Sequence, residues 1–464
     1  MTDPRVLIVG AGPAGTRAAE ALVSGGVRPV VVDEAPQSGG QIYRRPPPLT
    51  GFVRPARALY GPAAAKATAL HAAFDALGER IDYRPETVVW GLGDGVAHGL
   101  RHGICETIPF DRLILATGAM DRVIPFPGWT MPGVFTLGGA QIALKHQGCA
   151  VGRRTVFLGT GPLLYLVAWQ YAKAGAEVAA VLDVSPVARR IRELPRLAAG
   201  GRVLMQGVYY MAWLVAHGVR LETAIRPVAV QGGDAVAALS YRDAAGRERD
   251  LPCDAVAFGY GLKPETQLAD LAGCRFRFDE AGRHWLPETD PDGRALGIEG
   301  VYLAGDGAGI GGADAAELAG ERAALTLLAD LGRPADGARL ARIERRLARL
   351  ARFRAGLERA FPFPAELAAA IDDATILCRC EEVAAGELRA AARGMLASDE
   401  INRAKAFTRI GMGRCQGRVC GPAAQEVLAA ALALSPDGVG RLRGQPPIKP
   451  VPVAALATGC ETSS

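Results

Sequence analysis

Short apolar runs that end in glycine, each followed by a helical pattern, dominate the first 330 residues of the chain. The first run, at residues 5–9, leads into the turn Gly-Ala-Gly-Pro-Ala-Gly and then into a helix that we expect to extend to about Ser24. A second apolar run follows at residues 29–32. Strand, glycine turn, helix and strand in this order predict a βαβ unit of a parallel α/β sheet.

The pattern recurs at residues 154–183, where Gly159 and Gly161 supply the first two glycines of the turn. Leu164 stands where the third glycine would be expected and should push the helix away from the strand. A bound dinucleotide would place an unphosphorylated ribose against Asp183, at the end of the second strand. The residues leave three alternatives open for this unit: bound NAD, another adenine nucleotide such as ATP, or no nucleotide.

Two further segments have helical patterns. Residues 208–214 are apolar and contain Tyr and Trp, so we expect them to pack in the core, with an intersubunit contact as the alternative. After Pro334, leucines recur at helical spacing with arginines on the other face. This second pattern predicts a solvated amphipathic helix, for which a surface that docks a partner chain is the alternative.

A chain of 464 residues is too long for one core and predicts about three domains. Hydrophobic residues make up 49% and charged residues 22%, as in ordinary folded soluble proteins. The net charge of +5 is spread along the chain, so no nucleic-acid partner is expected.

The first residues lack the pattern of a secretory signal, and no apolar run reaches about 18 residues. We therefore expect a cytoplasmic protein, with peripheral association with the inner membrane left open.

The first glycine turn has the features of a dinucleotide-binding loop. Gly10 permits the tight turn, Gly12 lets the backbone approach a pyrophosphate, and Gly15 lets the helix pack closely on the strand. Free amides and the helix dipole at the helix N-terminus favour the pyrophosphate charge. Asp33 lies 23 residues after Gly10, the right distance to hydrogen-bond a ribose hydroxyl. This unit is therefore predicted to bind a dinucleotide.

The nine cysteines fall into two groups. Five are scattered and are expected to be buried thiols of a reducing compartment: Cys105, Cys149, Cys253, Cys274 and Cys460. The other four form the close pairs Cys378/Cys380 and Cys415/Cys420, which suit either a tetrahedral zinc or a [2Fe–2S] cluster. Cys-x-Cys is tighter than the spacing usual in zinc sites, which favours the cluster. Amides near four glycines could donate to the sulfurs: Gly411, Gly413, Gly417 and Gly421.

Two more turns connect the first unit to a known class of flavoproteins. Ala-Thr-Gly at residues 116–118 and Gly305-Asp306 each follow an apolar strand, and with the glycine turn they resemble the glutathione- and thioredoxin-reductase class over residues 1–330. The resemblance implies that the Thr117-Gly118 turn marks the crossing between domains and that Gly305-Asp306 binds the ribityl and phosphate of FAD. Disulfide reductases of this class also carry a redox-active cysteine pair, which residues 1–370 lack. Electrons are therefore expected to leave this flavin by another route.

The surroundings of the four clustered cysteines resemble the bacterioferritin-associated-ferredoxin-like (BFD-like) [2Fe–2S] domain. The second pair has the spacing Cys-x4-Cys in place of the Cys-x2-Cys of the small ferredoxin. The longer spacing is the form seen where this domain is fused to flavoprotein dehydrogenase subunits. The resemblance implies that Cys378, Cys380, Cys415 and Cys420 bind the iron.

The order of the motifs along nearly the whole chain resembles one family closely. Three further motifs stand between the first glycine turn and the four clustered cysteines: Gly-Gly-Gln-Ile-Tyr-Arg at 39–44, Pro-Gly-Trp at 127–129 and Pro-Gly-Val at 132–134. This order is typical of the α (or A) subunits of opine oxidases, hydroxyproline and proline dehydrogenases, and hydrogen cyanide synthase. It is also similar to part of the α subunit of heterotetrameric sarcosine oxidase.

The family resemblance implies an assembly that oxidises a C–N bond of an amino acid or opine. Oxidation would occur on a D-amino-acid-oxidase-like flavoprotein β subunit, and electrons would pass through FAD and [2Fe–2S] to a respiratory-chain acceptor. Further expectations are FMN at a subunit interface and a small ferredoxin-like γ subunit. No catalytic residue is predicted on this chain.

The expected fold is α/β: a two-dinucleotide-binding-domain flavoprotein of the glutathione-reductase type with a small helical BFD-like [2Fe–2S] domain. The expected divisions are an FAD domain (1–121 and 256–332), a second dinucleotide domain (122–255), a linker helix region (333–371), the cluster domain (372–438) and an extended tail (439–464). The expected cofactor-binding residues are Gly10, Gly12, Pro13, Ala14, Gly15, Asp33, Glu34, Gln41, Val88, Thr117, Gly118, Gly159, Gly161, Asp183, Gly305 and Asp306.

Several functions stay open at this point. The favoured function is an electron-transferring subunit that needs a partner to oxidise substrate. A self-contained NADH-dependent reductase, with electrons passing from flavin to [2Fe–2S] to an acceptor, is an alternative that Leu164 disfavours. A hydrogen cyanide synthase subunit that acts on glycine and an assembly scaffold with a vestigial flavin site are the others.

Overall fold

The computed structural model describes residues 4–47, 54–334, 336–394, 397, 399–457 and 461–462. A parallel five-stranded sheet forms the first domain, and its strands lie in the order Val301–Leu303, Arg112–Leu115, Val6–Val9, Val30–Val32 and Asp82–Arg84. The helix Pro13–Ser24 connects two adjacent strands of this sheet. The first predicted βαβ unit is therefore confirmed.

A second parallel five-stranded sheet forms the second domain, with strands in the order Leu221–Thr223, Glu177–Asp183, Arg154–Thr160, Ala255–Tyr260 and Val134–Thr136. The predicted domain boundary at residue 256 falls inside this sheet, because the strand Ala255–Tyr260 pairs along its length with Arg154–Thr160. The chain crosses back only afterwards, where Leu262–Pro264 pairs with Ala119–Asp121. Apolar strands are common to both domains, so the sequence pattern could not assign this one.

The remaining elements surround the two sheets and build the C-terminal domain. Antiparallel strands are Thr87–Gly93, Val96–Arg101, Ile104–Pro109, Arg226–Gly232, Val236–Arg242, Glu248–Pro252, Phe276–Asp279, His284–Pro287, Ile376–Cys378 and Val383–Ala384, and Glu461–Thr462 adds a parallel edge strand. The other helices are Ala56–Tyr60, Ala64–Asp75, Leu137–Ile142, Pro162–Lys173, Val187–Arg192, Leu194–Leu197, Arg202–Ala216, Gln267–Leu271, Ala313–Asp330, Gly337–Ala360, Ala365–Ala369, Ala385–Arg393, Ile401–Thr408, Gly421–Leu432 and Val453–Ala457.

Two helices of the first domain touch through their backbones. A Cβ on Gly320 would lie 1.9 Å from the carbonyl oxygen of Ala14. The helix Ala313–Asp330 therefore packs directly against the start of Pro13–Ser24. This contact fixes the helix N-terminus at which the dinucleotide is expected.

The helical patterns of the sequence form helices but differ in burial. Leucines and Ile343 of the helix Gly337–Ala360 pack against the core of the first domain, and its arginine face is solvated, as predicted. In the helix Arg202–Ala216, only Tyr210 and Leu214 are buried. The expected core packing of the 208–214 segment is thus confirmed for Tyr210, Met211, Trp213 and Leu214, which lie in or against the core of the second domain. It is wrong for Val208 and Tyr209, which are exposed because one side of this helix has no neighbour in the described part of the chain.

Three of the five scattered cysteines are buried as predicted: Cys105, Cys253 and Cys274. Cys149 is exposed, contrary to the prediction, because it follows the C-terminal glycine of a short helical turn at the surface. Cys460 lies outside the described residues. None of the helices among the residues that the structure describes combines the length and the apolar composition that crossing a bilayer would require.

The cluster domain is docked on both dinucleotide domains. The indole Nε1 of Trp129 donates to the carbonyl oxygen of Ile376 at 2.7 Å. Arg283 forms two hydrogen bonds to the buried carboxylate of Glu426, at 2.8 and 2.6 Å. Contacts from both domains leave the four cysteines in a fixed place relative to the first sheet.

The tail after residue 440 is mostly irregular, close to the extended form that the prolines predict. Arg441 pairs with Asp270 at 2.6 Å, and the N–H of Ile448 donates to the carbonyl oxygen of Trp90 at 3.0 Å. The tail therefore passes from the cluster domain back across the first domain.

The contact between the two helices predicts the effect of one added methyl group. Gly320→Ala should destabilise the protein by about 1–3 kcal/mol, as in other overpacked sites, because the backbone of Ala14 leaves no room. Gly207 is a matched control in the middle of another helix, with no described atom within 4 Å of a Cβ. Gly207→Ala should stabilise by about 0.5–1 kcal/mol. Urea unfolding of both variants checks the prediction, and equal effects would contradict it.

Candidate functional site

The glycine turn of the first domain is shaped by backbone contacts that leave no room for side chains. Gly10 has a φ of +107°, and a Cβ there would lie 2.4 Å from the carbonyl oxygen of Ala116. A Cβ on Gly15 would lie 1.8 Å from the carbonyl oxygen of Gly10. Gly12 and Gly40 face each other, since a Cβ on Gly40 would lie 3.0 Å from the Gly12 Cα. The turn is thus lined by backbone, as close approach of a pyrophosphate requires.

The two acidic residues after the second strand have different environments. Asp33 is partly buried, and its carboxylate accepts hydrogen bonds from the N–H groups of Ala11 at 2.6 Å and Ala35 at 2.7 Å. Desolvation of the carboxylate raises the pKa of Asp33 to about 6, although those amides oppose the shift. Glu34 is exposed and pairs with Lys449 at 2.7 Å. Asp33 therefore holds the glycine turn against the strand, and Glu34 carries the carboxylate that a ribose hydroxyl can reach from solvent.

The turn at Thr117 and Gly118 is bound to a second segment of the chain. The Thr117 hydroxyl donates to the carbonyl oxygen of Glu265 at 2.6 Å, and the N–H of Glu265 donates to the carbonyl oxygen of Gly118 at 3.0 Å. Gly118 has a φ of +73°, and no described atom lies within 4 Å of where its Cβ would be. One side of the turn is therefore open, as the predicted contact with FAD requires.

The Gly305-Asp306 pair abuts the glycine turn. A Cβ on Gly305 would lie 2.9 Å from the Cβ of Ala14. The Oδ1 of Asp306 accepts hydrogen bonds from the N–H groups of Gly311 at 2.8 Å and Gly312 at 2.9 Å. The loop before the helix Ala313–Asp330 is thus folded around Asp306, and the motifs at the two ends of the first domain come together.

Gln41 and Val88 lie next to these motifs. Gln41 follows Gly40 in the chain, is exposed, and accepts a hydrogen bond from Arg44 at 2.8 Å. Val88 follows Thr87, whose N–H donates to the carbonyl oxygen of Asp33 at 2.9 Å. Pro13 occupies the first turn of the first helix. All the residues predicted for FAD therefore surround one end of the first sheet.

Lys145 is a buried residue near this site that sequence reasoning missed. Its ammonium group donates to the carbonyl oxygen of Ile42 at 3.0 Å and lies 5.7 Å from the centre of the Tyr60 ring. Burial, with a smaller contribution from Arg44, lowers the pKa of Lys145 to about 7. A single lysine in a helical segment carries no sequence signal, so only the fold identifies it.

The carboxylate of Asp183, at the end of a strand of the second domain, is fully enclosed. The Tyr165 hydroxyl donates to it at 2.7 Å, the Ser185 N–H donates at 2.8 Å, and Arg190 forms an ion pair with it. Its side chain is 0% exposed. Burial raises the pKa of Asp183, and the Arg190 cation opposes the shift. A ribose could reach this carboxylate only by displacing Arg190 or Tyr165.

The glycine turn of the second domain nevertheless has the geometry of a nucleotide-binding loop. A Cβ on Gly159 would lie 1.8 Å from the carbonyl oxygen of Gly259, and Gly161 has a φ of +99°. Leu164 is completely buried in the second domain. A cavity of about 460 Å³ opens beside this end of the sheet, with Ser185 and Arg189 in its wall. The geometry of the loop thus favours nucleotide binding, whereas the enclosed carboxylate of Asp183 disfavours it.

The four predicted metal ligands come together in the C-terminal domain. Cys378 ends a strand, Cys380 follows it, and Cys420 directly precedes the helix Gly421–Leu432. Their thiols contact one another in the order Cys378, Cys420, Cys415, Cys380. Among the described residues, no three His, Cys, Asp or Glu side chains converge on a single ion position. A [2Fe–2S] cluster spreads its four cysteines over two iron atoms and needs no such convergence.

Backbone amides surround these sulfurs. The N–H groups of Gly411, Glu381 and Cys380 donate to the sulfur of Cys378, and those of Val419 and Gly417 donate to that of Cys415. The expected role of Gly411 and Gly417 is therefore confirmed. A Cβ on Gly413 would lie 2.3 Å from the Cβ of Cys380, so Gly413 is required for close packing instead.

These contacts favour thiolates at two of the four positions. The hydrogen bond from Cys420 is the largest cause that lowers the pKa of Cys378 to about 6 and that of Cys415 to about 5. The same sharing raises the pKa of Cys420 above its ordinary value. Iron binds thiolates, so binding of a cluster here would release protons from these cysteines.

A largely buried ion pair joins the segment from Cys415 to Cys420, which we call the cysteine loop, to the Thr117-Gly118 turn, which we call the flavin turn. The Nε of Arg418 donates to the Oε2 of Glu265 at 2.7 Å, and Gln267 Nε2 donates to the carbonyl oxygen of Gln416 at 2.6 Å. Burial alone would raise the pKa of Glu265, but the cations of Arg418 and Lys263 hold it below its ordinary value. Sequence reasoning missed both members of the pair, because they are 153 residues apart and neither belongs to a motif.

Comparison with known proteins agrees with this division of the chain. Residues 4–328 match the family described as "Pyridine nucleotide-disulphide oxidoreductase", and residues 376–430 match "BFD-like [2Fe-2S] binding domain". The A subunit of opine oxidase from Rhizobium meliloti is 38% identical over 97% of this chain and 87% of its own. The HcnB subunit of hydrogen cyanide synthase from Pseudomonas protegens is 32% identical over 97% of each chain.

The chain belongs to the family of opine oxidase A subunits. The fold of L-proline dehydrogenase from P. horikoshii is similar to that of this family member, with a TM-score of 0.72 at 20% identity over 98% of this chain and 79% of that one. As an opine oxidase A-type protein, the chain is an oxidoreductase that carries FAD and a [2Fe–2S] cluster. The predicted family, fold class and principal cofactors are confirmed.

The residues present fit both FAD and a [2Fe–2S] cluster. The backbone-lined turn at Gly12, the open side of Gly118 and the accessible carboxylate of Glu34 suit FAD. Four adjacent cysteines with amide donors at two sulfurs suit the cluster. FAD supplies hydride or single-electron chemistry when bound, and the cluster supplies single-electron transfer.

The cysteine geometry predicts the effect of removing one ligand. Cys415→Ser should lose most of the iron and acid-labile sulfide, of which the native chain should hold about two atoms each. Cys253→Ser, at a buried cysteine of the second domain, is the matched control and should keep both. Iron and sulfide analysis of anaerobically purified protein checks this. Zinc in place of iron in the native chain would contradict it.

Proposed function

We propose that the chain is the electron-transferring subunit of an enzyme that oxidises a C–N bond of an amino acid or opine. Its relatives are named as subunits, which supports the conclusion that it acts in a multi-subunit complex. In this proposal, the chain receives electrons at its FAD site and passes them to its [2Fe–2S] site. The residues that bind and oxidise substrate belong to another subunit.

The observation that carries the proposal is the direct connection between the two cofactor sites. The Thr117-Gly118 turn is hydrogen-bonded to the backbone of Glu265, and the carboxylate of Glu265 forms an ion pair with Arg418 inside the cysteine loop. Residues 1–370 contain no Cys-x-x-Cys or Cys-x4-Cys pair that could take electrons from the flavin. The cysteine loop is therefore the acceptor that lies against the flavin turn.

The partners proposed for this chain follow the family resemblance. A D-amino-acid-oxidase-like flavoprotein β subunit would oxidise the substrate, with FMN at the subunit interface. A respiratory-chain acceptor would take the electrons, and a small ferredoxin-like γ subunit would complete the complex. We propose a cytoplasmic location. Opine, hydroxyproline and proline are the substrate classes that fit.

Oxidation of glycine to cyanide is the second candidate function. HcnB proteins of two Pseudomonas species are 32% and 34% identical to this chain, which favours this candidate over other amino-acid oxidations. Opine oxidase A subunits are 36–38% identical, and the opine assignment is preferred on that ground. Cyanide release from glycine by the assembled complex would distinguish the two.

The enclosed carboxylate of Asp183 argues against an NADH-dependent reductase. If the second domain does not accept NADH, mixing the FAD-loaded chain with NADH should bleach the flavin more slowly than about 1 s⁻¹, below ordinary turnover rates. Dithionite should bleach it fully as a control. Anaerobic stopped-flow absorbance measures both. Fast bleaching by NADH would instead support a self-contained reductase with NAD in the second domain.

Three consecutive helices carry exposed apolar residues, which we propose contact the partner subunit. We call this surface the 187–215 face, and its exposed apolar residues are Val187, Ile191, Leu194, Val203, Met205, Val208, Tyr209 and Val215. Arg189, Arg192, Arg196 and Arg202 are also exposed there. Exposed apolar clusters of this kind mark protein interfaces. A second copy of the chain would bring arginines together, so the arginines favour a different subunit with acidic residues around an apolar centre.

The 187–215 face predicts a binding defect without loss of cofactors. Met205→Asp should weaken binding of the β subunit by roughly tenfold or more, because a charge would be buried in an apolar contact. Arg345→Glu, on the exposed side of the arginine-rich helix, is the control and should have little effect. Co-expression followed by titration of the purified subunits measures the affinities. Equal affinities for native and Met205→Asp chains would show that the partner binds elsewhere.

A further inference from the structure

We infer that the buried ion pair of Glu265 and Arg418 sets how electrons are distributed between the flavin and the cluster. This inference rests on the proposed function, because it assumes that both cofactors exchange electrons in this chain. Glu265 and Arg418 are positioning residues in this view, and their charges act on the reduced state of the cluster.

Glu265 is anchored at the flavin side of the junction. Its carbonyl oxygen and its N–H are both bonded to the Thr117-Gly118 turn. A Cβ on Gly307 would lie 2.5 Å from the Thr117 hydroxyl oxygen and 3.5 Å from the carbonyl oxygen of Glu265. The backbone of Glu265 is thus wedged among the motifs that bind FAD, and its side chain leaves in the direction of the cluster domain.

Arg418 is anchored at the cluster side, between Cys415 and Cys420 in the sequence. Its Nη1 donates to the carbonyl oxygen of Ile448 at 2.5 Å and, more weakly, to that of Cys415 at 3.4 Å. The buried Nη2 has no hydrogen-bond partner among the described residues. The side chain is 8% exposed, so its cation is held in a nearly dry part of the cysteine loop.

The two charges must act on the cluster with opposite sign. Reduction adds one negative charge to the cluster, which the Arg418 cation stabilises and the Glu265 carboxylate destabilises. The Arg418 side chain is 8% exposed and the Glu265 side chain 16%, so water screens these interactions less than it screens surface charges. Arg418 is nearer the cysteines in the chain and should have the larger effect. Lys263 is a further charged residue close to Glu265, Arg418 and Cys420. It is present in the native chain and in every variant, so its charge does not contribute to the differences between them.

A second ion pair across the same interface separates an electrostatic role from simple docking. Arg283 and Glu426 join the first domain to the helix after Cys420, with side chains 28% and 6% exposed. Neither residue is bonded to the Thr117-Gly118 turn or to the cysteine loop in the described contacts. Loss of this pair should therefore weaken docking without the same effect on the potential.

The test is a pair of substitutions read out by redox titration. Arg418→Met should lower the reduction potential of the cluster and move the electron distribution toward the flavin by roughly tenfold, or about 59 mV for a one-electron couple. Glu265→Gln should raise the cluster potential, because it removes the negative charge and keeps an oxygen that accepts from Arg418. Arg418→Lys should stay close to the native value. Visible absorbance and the EPR signal of the reduced cluster measure the potentials of the complete FAD-loaded chain.

The outcomes separate the inference from the proposed function. Native protein that lacks flavin or iron would overturn the proposed function before any variant is made. With both cofactors present, shifts of opposite sign in Arg418→Met and Glu265→Gln confirm the inference. Unchanged potentials, shifts in the same direction, or equal shifts in a Glu426→Gln control would overturn it. If Arg418→Met fails to hold its cluster, the other two variants still test the inference. The cluster potential of Glu265→Gln must then be higher than that of Arg418→Lys, which should stay close to the native value.

Discussion

The position of Glu265 is the constraint on which the arrangement of the cofactor sites depends. One residue contributes its backbone to the flavin turn and its side chain to the cysteine loop. A shift of the crossing strand Leu262–Pro264 would therefore move both sites together. The antiparallel pairing of that strand with Ala119–Asp121 fixes the crossing, and the tail strengthens it where Ile448 accepts a hydrogen bond from Arg418. Hydrogen bonds on both sides of Glu265 thus hold the two sites at a fixed separation.

The second domain contributes to the same rigidity. Apolar residues of its sheet share one continuous core with the cluster domain, and Trp129 donates a hydrogen bond to Ile376 two residues before Cys378. The position expected to bind a ribose is filled, because Arg190 and Tyr165 satisfy Asp183 from inside the domain. Since this domain does not depend on a bound nucleotide to fill its Asp183 position, its sheet can support the cluster domain by itself. The domain then stabilises the position of the cluster whether or not the cavity beside Ser185 binds a ligand.

Much of the fold and of the cofactor sites could be predicted because local steric restrictions limit which residue types can occupy certain positions. Gly10 and Gly15 are glycines because a Cβ would collide with backbone, and the two close cysteine pairs have few structural uses. What could not be predicted depends on contacts distant in the sequence. The enclosure of Asp183 by Arg190, the strand assignment of Ala255–Tyr260 and the exposed side of Arg202–Ala216 follow from packing. No spacing rule separates Asp33, which holds the glycine turn, from Glu34, which is exposed.

Stability alone does not explain the ion pair at the junction. Taking a carboxylate and a guanidinium out of water costs free energy that their attraction often fails to recover, and apolar pairs of similar size are frequently as stable. The Glu265–Arg418 pair is nonetheless among the more buried ion pairs of the described residues. The Nη2 of Arg418, which has no hydrogen-bond partner among the described residues, adds a further desolvation cost. The Nη2 of Arg418 can therefore still interact with a third, negative group nearby. A reduced iron–sulfur cluster held by Cys415 and Cys420 would be such a group, and its attraction to Arg418 would offset part of the cost of burying the ion pair.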